Sequence, residues 1–278
     1  MKIRQFYHHC FEAETVGENS DFPVGGGMIG SAEMPWKVRT DFATFFPKFS
    51  AIADRHITNH QTETWQNWFA KTAPDLDPQL TTLLQSFTTA FETKRKIQST
   101  NIQERNALYD GAPEQTVPLS SVMNANKAMC VETALLAKKF LDGHGVKSRV
   151  FSGEALFDYA PGDIHYPEAH TFLLIEHKDR EFIYDPARPT LMADGRALFT
   201  VLSPSCAWQA QTEAMQNDCL MVAAENILTK KTAYYGVGDG GNVPESHMIH
   251  APTAATASGR DRAGLKPSAK PPSGIKPM

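Results

Sequence analysis

The amino-acid sequence predicts an α+β protein in which helical and extended segments are largely segregated along the chain. Three observations carry this. Apolar residues recur at helical spacing in stretches between positions 50 and 142, β-branched and aromatic residues dominate short runs between 146 and 202, and Gly, Pro and polar residues punctuate the two patterns. With 278 residues, 41% of them apolar and 10% aromatic, there is material for a substantial core. The 31 acidic and 27 basic side chains nearly cancel, leaving a formal charge of -4. That balance argues against a protein that works by neutralising nucleic-acid phosphates.

Taken in order, residues 1 to 49 mix aromatics with Pro and a Gly25-Gly26-Gly27 run, and they read as an irregular packed arm. The glycine run lacks the Lys and Ser/Thr of a phosphate loop, so a turn is expected there. Ser50 to Ala73 reads as a helix with Ser50 as N-cap and Trp65, Trp68 and Phe69 turned inward. Asp77-Pro78 supplies a second helix start, followed by Leu80, Leu83, Leu84, Phe87 and Phe91 at helical spacing. Cys130 to Asp142 forms a third helix, with Val131, Ala134, Leu135 and Leu141 as its buried stripe and Gly143-His144-Gly145 as its stop. Extended segments follow at 146 to 157, 170 to 176, 180 to 185 and 197 to 202. Residues 207 to 229 read as a final amphipathic helix. From 237 onward, Gly, Pro, Ala, Ser and Thr prevail without apolar periodicity, and disorder is expected.

Cys130 opens its helix, where the macrodipole favours a thiolate. A nucleophilic thiol also needs an imidazole to take its proton and a third group to orient the imidazole. A hairpin centred between His177 and Lys178 would place His170 opposite Asp185 across two strands, on one face. Cys130, His170 and Asp185 are therefore the candidate catalytic residues. Oxyanion donors would be the Cys130 N–H and one amide among Gln115, Asn124 and Asn126. Glu132, in the first turn, is read as a helix-start charge. No metal-ligand spacing such as HExxH occurs, His8-His9 reads as a solvated pair, and neither metal nor cofactor is expected. Cys10, Cys130, Cys206 and Cys219 are spaced too irregularly for a disulfide framework. Apolar runs such as 219 to 224 fall far short of the ~18 residues that cross a bilayer. With no secretory signal at the start, a cytoplasmic location with reduced thiols is the expectation, non-classical secretion being the alternative.

The stretch CVETALLAKKFLDGHGVKSRVFSGEA, then EAHTFLLIE, then EFIYDPARP resembles the transglutaminase-like branch of the papain-like cysteine enzymes. That family has a cysteine opening a helix, a strand of the form Gly-apolar-x-x-Arg-apolar, a histidine beginning the next strand and Asp-Pro ending the one after. Gly145 to Val150 and Asp185-Pro186 match those elements. The resemblance covers about sixty residues and implies a papain-like core, with a central helix carrying the cysteine packed on an antiparallel sheet. It also implies Cys130 as nucleophile, His170 as general base and acid, Asp185 as orienter, and a protein or peptide substrate. Asn126-Lys127-Ala128-Met129 replace the glycines or aromatic that often precede the family's cysteine. On this reading residues 1–110 are an N-terminal arm and helical extension, 111–236 the core and 237–278 the tail. Protease, glutamine deamidase and transglutaminase share the acyl-enzyme and are not separated by sequence. An effector role is one alternative, and a catalytically silent protein-binding scaffold another.

Overall fold

A computed structural model of the chain describes residues 3–7, 10–24, 36–95, 102–157, 168–210 and 219–236. The Gly25–Gly27 run, His8-His9 and the segment from 237 lie outside the described residues.

The first 49 residues are more regular than their sequence suggests. They contain β1 (Ile3–Tyr7), β2 (Cys10–Ala13), β3 (Asp21–Pro23) and β4 (Lys37–Arg39) and the start of α1 (Phe42–His60). Ser50 therefore lies inside α1, bonded to Asp54, rather than capping a helix. The helix expected over 50 to 73 is two helices, because the chain breaks at Gln61-Thr62 before α2 (Glu63–Thr72). Next come α3 (Pro78–Arg95), α4 (Ile102–Asp110), β5 (Thr116–Pro118), α5 (Leu119–Asn124) and α6 (Cys130–Gly143). Asp77 caps α3 as its sequence implies, accepting the Leu80 N–H at 2.7 Å.

The remainder is extended: β6 (Ser148–Leu156), β7 (Glu168–His177), β8 (Arg180–Tyr184), the short pair β9 (Thr190–Leu191) and β10 (Ala197–Leu198), then β11 (Val201–Ala210), β12 (Cys219–Asn226) and β13 (Thr232–Gly236). Where an amphipathic helix is expected over 207 to 229, the described residues 207–210 and 219–226 are strands. The apolar run 219 to 224 lies in β12, paired on one side with β11 and on the other with β13. A short apolar run suits a strand buried between neighbours as well as a helix face, and periodicity alone does not separate them.

Strands β6, β13, β12, β11, β8 and β7 pair in that order, all antiparallel, and β7 pairs back onto β6. The sheet is thus a closed six-stranded barrel, and closure removes its exposed edges. The hairpin β1–β2 joins it through β2, which shares one side of β6 with β13. Every strand of the barrel gives a residue to a small cluster of Phe151, Ala155, Phe172, Ile183, Leu202, Ala224 and Tyr235, which fills the interior. The alternate positions Val150, Leu173, Ile175, Phe182 and Tyr184 face outward into a larger core shared with the helices. Helix α6 packs on β6 and β7, with Leu135, Leu136 and Leu141 fully buried. Phe49 of α1, Phe87 of α3 and Phe140 of α6 belong to that same core, so residues on both sides of position 110 share it. No helix among the described residues is long and apolar enough to cross a membrane.

The register of the β7–β8 hairpin corrects the expected pairing. Leu173 faces Tyr184 and His177 faces Arg180, so the turn is Lys178-Asp179 and not His177-Lys178. Both turn residues have positive φ, 50° and 58°, the left-handed pair of a type I′ turn. The strands follow the turn's twist, and the register moves by two residues. A shift of two preserves side-chain parity. His170 and Asp185 accordingly stay on the same face, as a diagonal pair beyond the last β8 partner. Replacing Lys178-Asp179 with Asn-Gly, which tolerate positive φ, is expected to stabilise the fold by about 1–2 kcal/mol. The check is a higher urea midpoint at unchanged slope; a lower midpoint would show that the hairpin turns elsewhere.

Candidate active site

The start of α6 and one end of the barrel meet around three side chains. Cys130 is the first residue of α6, half-buried, and its thiol lies within interaction range of His170, which lowers the thiol pKa. His170, on β7, is 6% exposed, and its Nε2 lies 2.8 Å from Asp185 Oδ2. With Nε2 engaged by the carboxylate, Nδ1 is the ring nitrogen left for the sulfur. Asp185 has no exposed surface. It is held by its N–H donating to Thr200 O at 2.9 Å and by the Ala187 N–H donating to its Oδ1 at 3.2 Å. The structure therefore brings Cys130, His170 and Asp185 together although the expected cross-strand register does not hold.

A fourth group was not anticipated. Tyr235, on β13, donates its hydroxyl to Asp185 Oδ2 at 2.8 Å, the same oxygen that His170 contacts. Its ring packs edge-on against Phe172 and Phe157, and Phe157 in turn meets the His170 ring edge-on at 5.1 Å. Burial, reinforced by the nearby Asp185 charge, raises the Tyr235 pKa, so the hydroxyl stays protonated and remains a donor. Tyr235 lies in a segment that the sequence reading left between a helix and a tail, and only barrel closure carries it to the carboxylate.

The electrostatics favour a thiolate–imidazolium pair. Burial by itself pushes the Cys130 thiol pKa up, but the hydrogen bond and charge of His170, followed by the charge of Arg105, outweigh it, and the net shift is downward. Burial likewise disfavours a charged His170, yet the Asp185 carboxylate, its hydrogen bond and the thiol overcome that and raise the imidazole pKa to about 10. The α6 N-terminus adds its dipole to the same effect. Such a pair supplies a nucleophile and, on the neighbouring ring, the proton that a leaving group requires.

Beneath the sulfur sits a second buried carboxylate. Glu132, in the first turn of α6, has no exposed surface and serves the helix start from a buried position. Its Oε1 accepts from Arg105 Nη2 at 2.7 Å, Arg105 Nε at 3.2 Å and the Tyr109 hydroxyl at 2.5 Å. Its Oε2 reaches back to the Met129 N–H at 3.0 Å, capping α6 one residue before the cysteine. Arg105 and Tyr109 are four apart on α4 and so share a face. Trp36 stacks on Tyr109 and donates to Asp110 Oδ1 at 2.9 Å, fixing that helix in turn. The spacing of Arg105 and Tyr109 was readable in the sequence; their convergence on Glu132 was not.

The three oxyanion candidates lie between α4 and α6. Asn124 ends α5 with an exposed side chain, and Asn126 follows in a left-handed turn at φ 59°. Gln115 closes a 3-10 turn after α4, also at positive φ, with its N–H on Ala112 O. These backbone roles explain Gly-like, Asn-rich turn chemistry before α6. The Cys130 N–H is the better placed donor, because the first N–H groups of a helix have no partner within it and Glu132 has taken that of Met129. Among the described residues, no group of three or more His, Cys, Asp or Glu side chains is placed to hold a metal ion.

Comparison with protein-family models, with curated proteins and with solved structures yields no match for the chain.

Arg105→Met leaves the Glu132 carboxylate buried without its cation and is expected to destabilise the fold by about 3–5 kcal/mol. Denaturant unfolding monitored by tryptophan fluorescence measures it. A loss under about 1 kcal/mol, the range of a surface pair, would mean that the ion pair is solvated in solution.

Proposed function

We propose that the protein is a thiol acyl-transfer enzyme that acts on amide bonds of a protein or peptide through Cys130. The observation that carries this reading is the relay from a half-buried sulfur through His170 to the fully buried Asp185, at a helix N-terminus. In the first half-reaction the Cys130 thiolate adds to the amide carbonyl carbon. Negative charge gathers on the carbonyl oxygen, where the Cys130 N–H can meet it. The C–N bond then breaks as the His170 imidazolium hands its proton to the departing nitrogen, leaving a thioester and a neutral imidazole. In the second half-reaction the imidazole takes a proton from water or from an amine, which attacks the thioester and returns the thiolate. Asp185 keeps the ring oriented and stabilises its charged form, and Tyr235 keeps Asp185 in place.

Water as the second nucleophile makes the enzyme a protease or a deamidase, and an amine makes it a transglutaminase. The transglutaminase-like resemblance of residues 130 to 190 agrees with this set of reactions. The family's range also extends to bacterial effectors. Incubation with candidate protein substrates separates the three: new peptide termini identify proteolysis, ammonia without crosslinks identifies deamidation, and ammonia with crosslinks identifies transamidation.

The pKa directions set a pH profile. A thiol with a lowered pKa stays ionised to a lower pH than an ordinary cysteine does. Iodoacetamide labelling of Cys130 is therefore expected to begin falling at a lower pH than that of glutathione. Labelling of glutathione should drop about tenfold per unit below its own pKa. His170→Ala should move the Cys130 profile back toward that of glutathione, and a Cys130 profile that matches glutathione in the unmodified protein would sink the proposal. Asp185→Asn, which keeps the shape and loses the charge, should lower turnover by about 10²–10⁴-fold with far-UV circular dichroism unchanged; full activity would show that His170 is oriented by another group.

A further inference from the structure

Asp185 is followed by a tight turn, Pro186-Ala187-Arg188, that sets Arg188 close to the relay. The backbone of this turn is firmly held. Ala187 donates to Asp185 Oδ1 at 3.2 Å, and the Arg188 carbonyl accepts the Thr200 hydroxyl at 2.6 Å. Thr200 Oγ1 lies 2.7 Å from Thr190 Oγ1, which also accepts from Asn226 Nδ2 at 3.2 Å. Arg188 thus belongs to a hydrogen-bonded unit with the Asp185 turn and the end of β12, and its position is not that of a free surface side chain.

The guanidinium carbon sits 3.6 Å over the centre of the Phe157 ring, and Phe157 meets the His170 ring edge-on with centres 5.1 Å apart. Those two separations put the Arg188 guanidinium within about 9 Å of the imidazole centre. Stacking fixes the plane of the fork and leaves its N–H edges directed sideways. The side chain remains 45% exposed. Among the described residues its ion-pair partner is Glu168, at 4.0 Å from Nη1, beyond hydrogen-bonding distance and itself 64% exposed. Glu168 is the first residue of β7, two before His170. A positive, planar, preoriented group therefore stands at the rim of the relay, with a carboxylate of the chain itself drawn toward it but not bonded.

We propose that Arg188 is a specificity-determining residue that receives a substrate carboxylate close to the reacting amide, so that the preferred substrate is an acidic peptide or protein segment. This rests on the acyl-transfer reading above. Bidentate recognition is what a guanidinium fork offers a carboxylate, and aromatic stacking on Phe157 reduces the rotamer entropy lost on forming it. Glu168 would be displaced as the substrate binds.

The test uses a matched pair of alkylating agents on the full chain, N-iodoacetyl-glutamate α-amide and N-iodoacetyl-glutamine α-amide, which differ by one carboxylate. In each, the Cys130 sulfur bonds to the methylene carbon and iodide departs. The ratio of the acidic to the neutral labelling rate is read at Cys130 and, for reference, on glutathione; any common change in thiol reactivity divides out. The ratio at Cys130 is expected to exceed that on glutathione by about fivefold, to fall to the glutathione value in Arg188→Gln, and to rise further in Glu168→Gln, which removes the competing carboxylate. A Cys130 that reacts quickly with both agents but shows no acid preference, or a preference that survives Arg188→Gln, overturns the role of Arg188 alone. A Cys130 that labels no faster than glutathione with either agent overturns the acyl-transfer reading, and the Arg188 proposal with it.

Discussion

A carboxylate with no exposed surface must find its compensation inside the protein, and Asp185 does so in a way that organises the rest of the site. It receives the His170 ring from β7, the Tyr235 hydroxyl from β13 and the Ala187 N–H from its own turn. Those partners come from different parts of the barrel. The charge is satisfied only when β7, β8 and β13 are each in place, so assembly of the barrel and orientation of the imidazole are one event. A site built on paired strands holds its geometry more tightly than one built on loops.

Glu132 plays the corresponding part on the helical side. It anchors α4 to α6 through Arg105 and Tyr109 and caps α6 through Met129. Its negative charge opposes the thiolate, and Arg105 counters it: of these two, Arg105 has the larger effect on the Cys130 pKa. The protein thus places two buried carboxylates around one sulfur without losing the thiolate, because each carboxylate carries its own cation. Asp185 has the imidazolium and Glu132 has the guanidinium. A buried ion pair of this kind is weak evidence for stability, and its value here lies in fixing where the helix begins.

Much of this was legible in the sequence. Cys130 at a helix start, the Gly145 stop, the Asp77 cap and the strands around His170 and Asp185 all follow from local patterns, and local patterns survive folding when nothing competes with them. What was not legible depended on neighbours. The run 219 to 224 reads equally as helix or strand until β11 and β13 flank it. Lys178 and Asp179 carry no Gly or Asn signal for a left-handed turn, so the hairpin register came out two residues away from its expected value. Tyr235 and Arg105 are distant from Cys130 in sequence and reach the site through contacts that no periodicity encodes. The first 49 residues look irregular because their strands are short, three to five residues each, which is too short for alternation to declare itself.

The two-residue register shift bears on how robust the site is to such errors. Had the hairpin slipped by one, His170 would have turned toward the helices and Asp185 would have faced the opposite side of the sheet. A slip of two leaves both on the barrel side, where Phe151, Phe172 and Tyr235 already fill the interior. The diagonal offset is bridged because Asp185 lies just past the end of β8, where the pairing with β7 has stopped, while its N–H bonds Thr200 O, the next position in the β8–β11 register. Past the last β7–β8 pair, the carboxylate reaches back along β7 to the ring. The constraint that matters is therefore parity together with the point at which β8 ends, and Pro186, unable to donate a ladder hydrogen bond, stands directly after that point.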